Sequence, residues 1–202
     1  MKHPLRILCL GDSYTIGESV PLHQGFPYQL VQQLRKAQIT CYAPEIVAKT
    51  GWTSGELLAH LEQQTYLPTY DYVTLLIGVN NQYRGNSIDI YRKEFEILLQ
   101  KALQWTNHQP KQVFVLSIPD WGQTPFAKAD QRENIATAID AFNAVNQSIA
   151  TAYKVHYVNI TIGTRNALTD QTILAEDQLH YSGTEHARWA NAVATIIAHQ
   201  EK

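Results

Sequence analysis

Cysteine is scarce in this chain of 202 residues: there are two, Cys9 and Cys41. Two cannot build a disulfide framework, and these match no metal-ligand spacing. Each sits in an apolar stretch, where buried free thiols are common. An excess of charge of one sign is also lacking. Sixteen Lys and Arg against eighteen Asp and Glu leave a formal net charge of -2, so nothing favours nucleic acid or an anionic membrane surface as a partner. No run approaches the roughly 20 apolar residues of a membrane-spanning helix, and membrane insertion is not expected. The apolar run 7–10 is short and meets Gly11-Asp12-Ser13, not a small-residue cleavage site, so no secretory leader is read here and a cytoplasmic location is the expectation. There is no P-loop, no Gly-x-Gly-x-x-Gly turn and no His-Glu-x-x-His pair; neither a metal nor an organic cofactor has a visible site.

What is present suits a globular protein. Residues are 45% hydrophobic and 17% charged, an ordinary balance. The length is most simply one domain, 1–202, with a core that needs no metal or disulfide support. There is no repeat, linker or low-complexity segment.

Short β-rich runs alternate with helical patterns. Residues 5–10, 45–49, 72–77, 113–118 and 155–159 read as strands, the first an unbroken apolar run stopped by Gly11. Residues 29–36 look helical. Residues 56–64 read as a helix, with Thr53 and Glu56 spaced as a capping box. Ile88, Tyr91, Phe95, Leu98, Leu99, Ala102 and Leu103 recur at three- and four-residue steps and make one apolar helix face. Ile135, Ile139, Phe142, Val145 and Ile149 mark another. A last helix begins at Ser182, with Glu185 spaced for a second capping box. This alternation implies an α/β fold with a mostly parallel sheet covered by helices on both faces. Ligands of such sheets lie beyond the carboxyl ends of the strands, near a switch in strand order. Ser13, Asn80 and the loop after Pro119 each follow a strand at that end.

Four clusters carry residue types suited to acyl transfer: Gly11-Asp12-Ser13, Gly51, Gly78-Val79-Asn80-Asn81 and Asp177-Gln178-Leu179-His180. Ser13 alone reads as a turn or cap residue. Its functional reading requires a base, and one turn brings the Asp177 carboxylate to the His180 imidazole, fixing its tautomer. Among the other histidines only His186 rivals His180 as the base, by proximity. Asn80 is either a turn asparagine or a neutral donor aimed at an oxyanion. Gly51 precedes a capped helix whose first N–H groups lack partners. Asp12, adjacent to Ser13, is assigned to loop geometry and not to proton transfer.

These blocks resemble the SGNH/GDSL hydrolases, serine esterases and lipases, and the resemblance spans essentially the whole chain. It implies a three-layer α/β/α sandwich with a flavodoxin-like five-stranded, mostly parallel sheet. It also implies Ser13 as nucleophile, His180 as general base and Asp177 as its orienting partner. The Ser13 and Gly51 N–H groups and the Asn80 side chain would form the oxyanion hole, with no cofactor. Two positions depart from the family pattern. Asn81 stands where an aspartate is often found, which puts a carboxylate contact there in doubt, and Tyr181 replaces a frequent proline.

The expected partner is a small-molecule ester. Trp52, Tyr83, Trp121 and Phe126 lie in loops near the blocks and are candidates to line an acyl or aryl pocket, while the loop 120–131 is a candidate cover. Arg84 is the main cation near the blocks, read as solvated. Short-chain or acetyl esters lead; a carbohydrate deacetylase, a thioesterase and a lysophospholipase remain open. Two readings of other kinds stand beside the enzyme. One is a phosphate- or nucleotide-binding module using the strand–Gly11-Asp12-Ser13–helix turn; the other is a silent binding domain.

Overall fold

The computed structural model describes residues 3–201; Met1, Lys2 and Lys202, which the one-domain reading includes, lie outside the described residues. Five strands form the sheet: β1 (Ile7–Gly11), β2 (Glu45–Ala48), β3 (Tyr72–Leu76), β4 (Val113–Leu116) and β5 (His156–Val158). Their order is β2-β1-β3-β4-β5, and every neighbouring pair is parallel. This is the flavodoxin-like order, whose ligand crevice opens at the switch between β1 and β3. All residues of β1, β3 and β4 are buried. Covered on both faces, they read as continuous apolar runs instead of alternating ones.

Eight α-helices lie among the described residues: α1 (Ser13–Ile16), α2 (Phe26–Lys36), α3 (Ser54–Glu62), α4 (Val79–Tyr83), α5 (Ile88–Trp105), α6 (Arg132–Ala152), α7 (Thr161–Thr164) and α8 (Gly183–Gln200). Helices α2 and α8 pack together as one layer, while α3, α5 and α6 pack in succession as the other. The result is the expected three-layer α/β/α sandwich. Tyr91, Phe95, Leu98, Leu99, Ala102 and Leu103 are the buried residues of α5, so the periodic face is the one that meets the sheet. Each large apolar side chain buried there contributes about 1.5–3 kcal/mol.

The capping box at α3 is present: the Thr53 N–H donates to Glu56 Oε2 at 2.8 Å, and the Glu56 N–H donates to Thr53 Oγ at 3.3 Å. The second expected box does not form. Ser182 is the N-cap residue of α8, but its hydroxyl donates to the Thr172 carbonyl at 2.9 Å. Glu185 is drawn inward and accepts from Trp189 Nε1 at 3.0 Å and from Arg188 Nη1 at 2.8 Å. A buried indole N–H needs an acceptor, and that need outweighs the cap. Helix α2 begins at Phe26, earlier than the apolar pattern suggests, with Pro27 in its first turn where the missing N–H costs nothing. Cys9 and Cys41 are buried and unbonded.

Candidate active site

The crevice is built at the β1/β3 switch by short, strongly constrained turns. At Gly11 a Cβ would overlap the Thr15 side chain and the Leu76 carbonyl, so glycine lets the chain fold back tightly at the end of β1. Asp12 then caps α1, its Oδ1 accepting the Tyr14 N–H at 3.0 Å. Ser13 is therefore the first residue of a helix, and its own N–H has no intrahelical acceptor. At the end of β3, Gly78 adopts φ +129°, and a Cβ there would overlap the Tyr91 hydroxyl. Helix α4 starts at once and carries Asn80 beside Asp12.

Ser13, His180 and Asp177 meet. Ser13 Oγ and His180 Nε2 lie 3.0 Å apart, and His180 Nδ1 lies 2.6 Å from Asp177 Oδ2. With the ring proton on Nδ1, directed at the carboxylate, Nε2 is free to accept from the serine hydroxyl. The carboxylate is itself tied down. Its Oδ1 accepts the N–H groups of Leu179 at 3.0 Å and His180 at 2.9 Å, and its Oδ2 accepts the Ser19 hydroxyl at 2.7 Å. Burial alone would raise the Asp177 carboxyl, but the hydrogen bonds from His180, Ser19 and the two backbone donors outweigh it. Together they hold Asp177 well below the ordinary carboxylate range, so it stays ionised beside His180.

Asn80 Nδ2 donates to the Trp52 carbonyl at 3.1 Å and lies 3.4 Å from Asp12 Oδ2. The amide thus faces the crevice from a fixed position beside Ser13. Asn81, at the departure from the family pattern, is buried and fully used. Its Oδ1 accepts the Ser54 N–H at 2.9 Å and its Nδ2 donates to Ser54 Oγ at 2.8 Å. The Ser54 hydroxyl donates onward to Glu94 Oε2 at 2.5 Å. A carboxylate is present after all, supplied by α5 and reached through Ser54.

Asp12 is 1% exposed, and that burial pushes its carboxyl up to about 7, against smaller lowering by hydrogen bonds from the Tyr14 N–H and Asn80. A folded-state value raised above the unfolded one favours the folded chain at low pH. The contribution is fully present below about 4 and is lost as pH rises through about 7. Substituting Asp12→Asn keeps a capping side chain and removes the ionisation. The melting temperature of the variant relative to the parent should therefore climb between pH 4 and 7 and level off above. A constant difference across that range would contradict this ionisation.

Ser13, Asn80 and His180 open onto a cavity of about 180 Å³, closed by Tyr14, Val79 and Leu179 and by an aromatic wall of Tyr83, Trp121 and Phe126. Trp121 is held edge-on between Tyr83, at 5.2 Å between ring centroids, and Phe126, at 6.1 Å. Its indole N–H donates to Gln82 Oε1 at 2.7 Å. The loop 120–131 that supplies Trp121 and Phe126 is anchored by fully buried Asp120. That carboxylate pairs with Arg165 Nε at 2.9 Å and accepts the Gly122 N–H at 3.0 Å.

Two of the residues expected to face substrate are not in this cavity. Trp52 turns away, packing at a tilt against His60, 4.8 Å between ring centroids, and lining a separate hollow beside the edge strand β2. Its carbonyl, not its ring, serves the site, because the 51–53 turn spends the backbone on holding Asn80. Gly51 is likewise outside the cavity wall, and its carbonyl accepts from Arg84 Nη2 at 2.5 Å. Arg84 also pairs with Glu56 at 3.2 Å, so it braces the turn instead of being simply solvated. His186 lies on α8 against Trp189, and burial, with the nearby His180 charge, pushes it down to about 3. It stays neutral and takes no part in the serine contact. The phosphate-cradle reading gives no role to the Ser13–His180–Asp177 contact or to Asn80 beside it. A larger hollow, about 580 Å³, lies near His3, Leu5 and Ile39 at the amino-terminal end of β1, remote from any serine–histidine pair.

Sequence reasoning missed Ser19, Tyr14, Gln82, Asp120 and Arg165. Only Asp120 carried a signal, being an acidic residue just past β4; the rest depend on contacts between distant segments.

Comparison with known proteins agrees with this fold. A search of curated proteins finds no match. Among solved structures, a lipase/acylhydrolase from Enterococcus faecalis superposes with a TM-score of 0.76 at 17% identity, covering 97% of this chain and 96% of that one. The acetylxylan esterase Axe2 from Geobacillus stearothermophilus gives 0.73 at 18% identity, covering 96% and 94%. The psychrotrophic esterase EstA from Pseudoalteromonas sp. gives 0.69 at 18% identity, covering 97% and 98%. At such identities the likeness is one of fold. Residues 9–188, however, match the family described as GDSL-like Lipase/Acylhydrolase, a stretch that holds the serine, asparagine, aspartate and histidine described above, and the chain belongs to that hydrolase family.

Proposed function

We propose that Ser13, His180 and Asp177 hydrolyse esters of short acyl groups by two successive acyl transfers. The observation that carries this reading is the unbroken contact from Ser13 Oγ through His180 to Asp177 Oδ2, at 3.0 and 2.6 Å, at the wall of a cavity. Ser13 Oγ attacks the ester carbonyl while its proton passes to His180 Nε2, and Asp177 stabilises the imidazolium that forms. The oxyanion develops between the start of α1 and the Asn80 side chain, where the Ser13 N–H and Asn80 Nδ2 donate; the Gly51 N–H is the third candidate donor. His180 then protonates the leaving alcohol. A water enters, loses its proton to the same nitrogen and releases the acid.

The cavity supports the short acyl group. At about 180 Å³ it is smaller than the roughly 300–1,000 Å³ of drug-sized pockets. The exposed faces of Tyr83 and Phe126 at its mouth suit a flat or ring-shaped alcohol portion, which keeps sugar esters among the candidates, in line with the acetylxylan esterase of similar fold. The reading is tested with p-nitrophenyl esters of increasing acyl length, together with mass analysis after fluorophosphonate treatment. Turnover should be highest at two to four carbons, and the adduct should sit on Ser13. Labelling elsewhere, or none, would count against it. Trp121→Ala enlarges the acyl end and should move relative kcat/KM toward longer chains by about tenfold; an unaltered length profile would remove Trp121 from the acyl site.

A further inference from the structure

We propose that Ser19 is a positioning residue for the triad, its hydroxyl sharing Asp177 Oδ2 with His180 and so setting how that carboxylate is aimed and how strongly it holds the imidazolium. The inference rests on the triad reading above. Three features carry it. The Ser19 hydroxyl donates to Oδ2 at 2.7 Å, and the same oxygen lies 2.6 Å from His180 Nδ1. Ser19 adopts φ +64°, a left-handed conformation uncommon for a residue that is not glycine or asparagine, and such strain concentrates where function requires it. Its loop is fastened to the nucleophile: the N–H groups of Gly17 and Glu18 both donate to the Ser13 carbonyl, at 3.1 and 3.0 Å. Glu18 is held in turn by the Thr50 hydroxyl. One short loop therefore spans from the serine that reacts to the carboxylate that orients its base, which lies 158 residues beyond Ser19.

The shared oxygen gives the contact a chemical consequence. A carboxylate oxygen that accepts two donors offers each less than it would offer one. Without the Ser19 hydroxyl, Oδ2 turns more fully to the imidazolium, which is stabilised relative to the neutral ring, and deprotonation of His180 requires a higher pH. Other ionisable groups face this pair. Tyr14 on α1 lies 5.2 Å from the His180 ring, and Tyr181 follows it. Both are raised by burial and stay neutral. His186 on α8 also stays neutral, and Asp120 is paired with Arg165. Glu18 and Glu176 flank the two loops. Asp12, raised by burial to about 7, is present in parent and variants alike.

The test is kcat/KM against pH on a short-chain ester for the parent, Ser19→Ala and Ser19→Gly, with Ser13→Ala as baseline. Alanine removes the hydroxyl and keeps the strained φ; glycine removes both, so its fold is protected. Both variants should move the acidic limb upward by about half a pH unit and lower the plateau about three- to tenfold, as expected for loss of one typical hydrogen bond. An unmoved limb, whether or not the plateau falls, would overturn the proposal and leave Ser19 a loop residue. Parent-like turnover by Ser13→Ala would instead overturn the triad reading itself.

Discussion

Ester turnover should fall by about 10⁴-fold or more in Ser13→Ala, and as far in His180→Ala, because the two act as one unit. The serine hydroxyl at neutral pH is a poor nucleophile; in the proposed mechanism it attacks as His180 Nε2, 3.0 Å away, removes its proton. Losing either partner stops the same step, so the double variant should be scarcely worse than the single ones. The residual rate is what the oxyanion donors and substrate binding supply alone. KM should change little, since neither side chain carries much ground-state binding. Steady-state kinetics on a short-chain p-nitrophenyl ester checks this, with melting temperatures to confirm folding. Retention of even a tenth of parent activity by a folded Ser13→Ala would require a different nucleophile.

Asn80→Ala should lower kcat by about 10²–10³-fold with KM nearly unchanged. In the free enzyme Asn80 Nδ2 is occupied by the Trp52 carbonyl and lies close to Asp12. Its bond to substrate grows only as negative charge develops on the carbonyl oxygen, which places the loss in kcat. Asn80→Asp is the sharper variant. It has the same shape, cannot donate when ionised, and would set a second carboxylate about where Nδ2 now stands, 3.4 Å from Asp12. It should therefore be slower than alanine, through repulsion of the forming oxyanion and of its neighbour. Equal kcat in the parent and both variants would take Asn80 out of the reaction.

Much of the architecture was legible because its signals are local. The buried strands β1, β3 and β4 are short apolar runs, α5 shows its core face at three- and four-residue steps, and Thr53 with Glu56 forms its box within one turn. Where the reading failed, another partner claimed the same side chain. Ser182 and Glu185 have the spacing of a cap, yet Trp189 and the Thr172 carbonyl claim them. Trp52 sits next to a catalytic block, yet its ring follows His60 away from the cavity while its backbone carbonyl does the positioning. Side-chain direction at a turn depends on backbone dihedrals and neighbours that no short motif encodes. The Ser19 contact and the Arg165 partner of Asp120 had no signal of this kind at all.

From residue order alone come the alternation of strands and helices, the parallel sheet, and the residue types for acyl transfer in their blocks, since periodicity, capping and glycine placement act over a few neighbouring residues. Tertiary structure alone decided that a hydroxyl and an imidazole 167 positions apart would stand 3.0 Å from each other. It decided too that Asn80 would sit at the same crevice, that Ser19 would reach the Asp177 carboxylate, and that three aromatic rings would line one wall of the cavity. Those outcomes depend on how the β1/β3 switch and the packing of α8 bring separate turns together, and pairwise contacts over such separations leave no periodic trace in the chain.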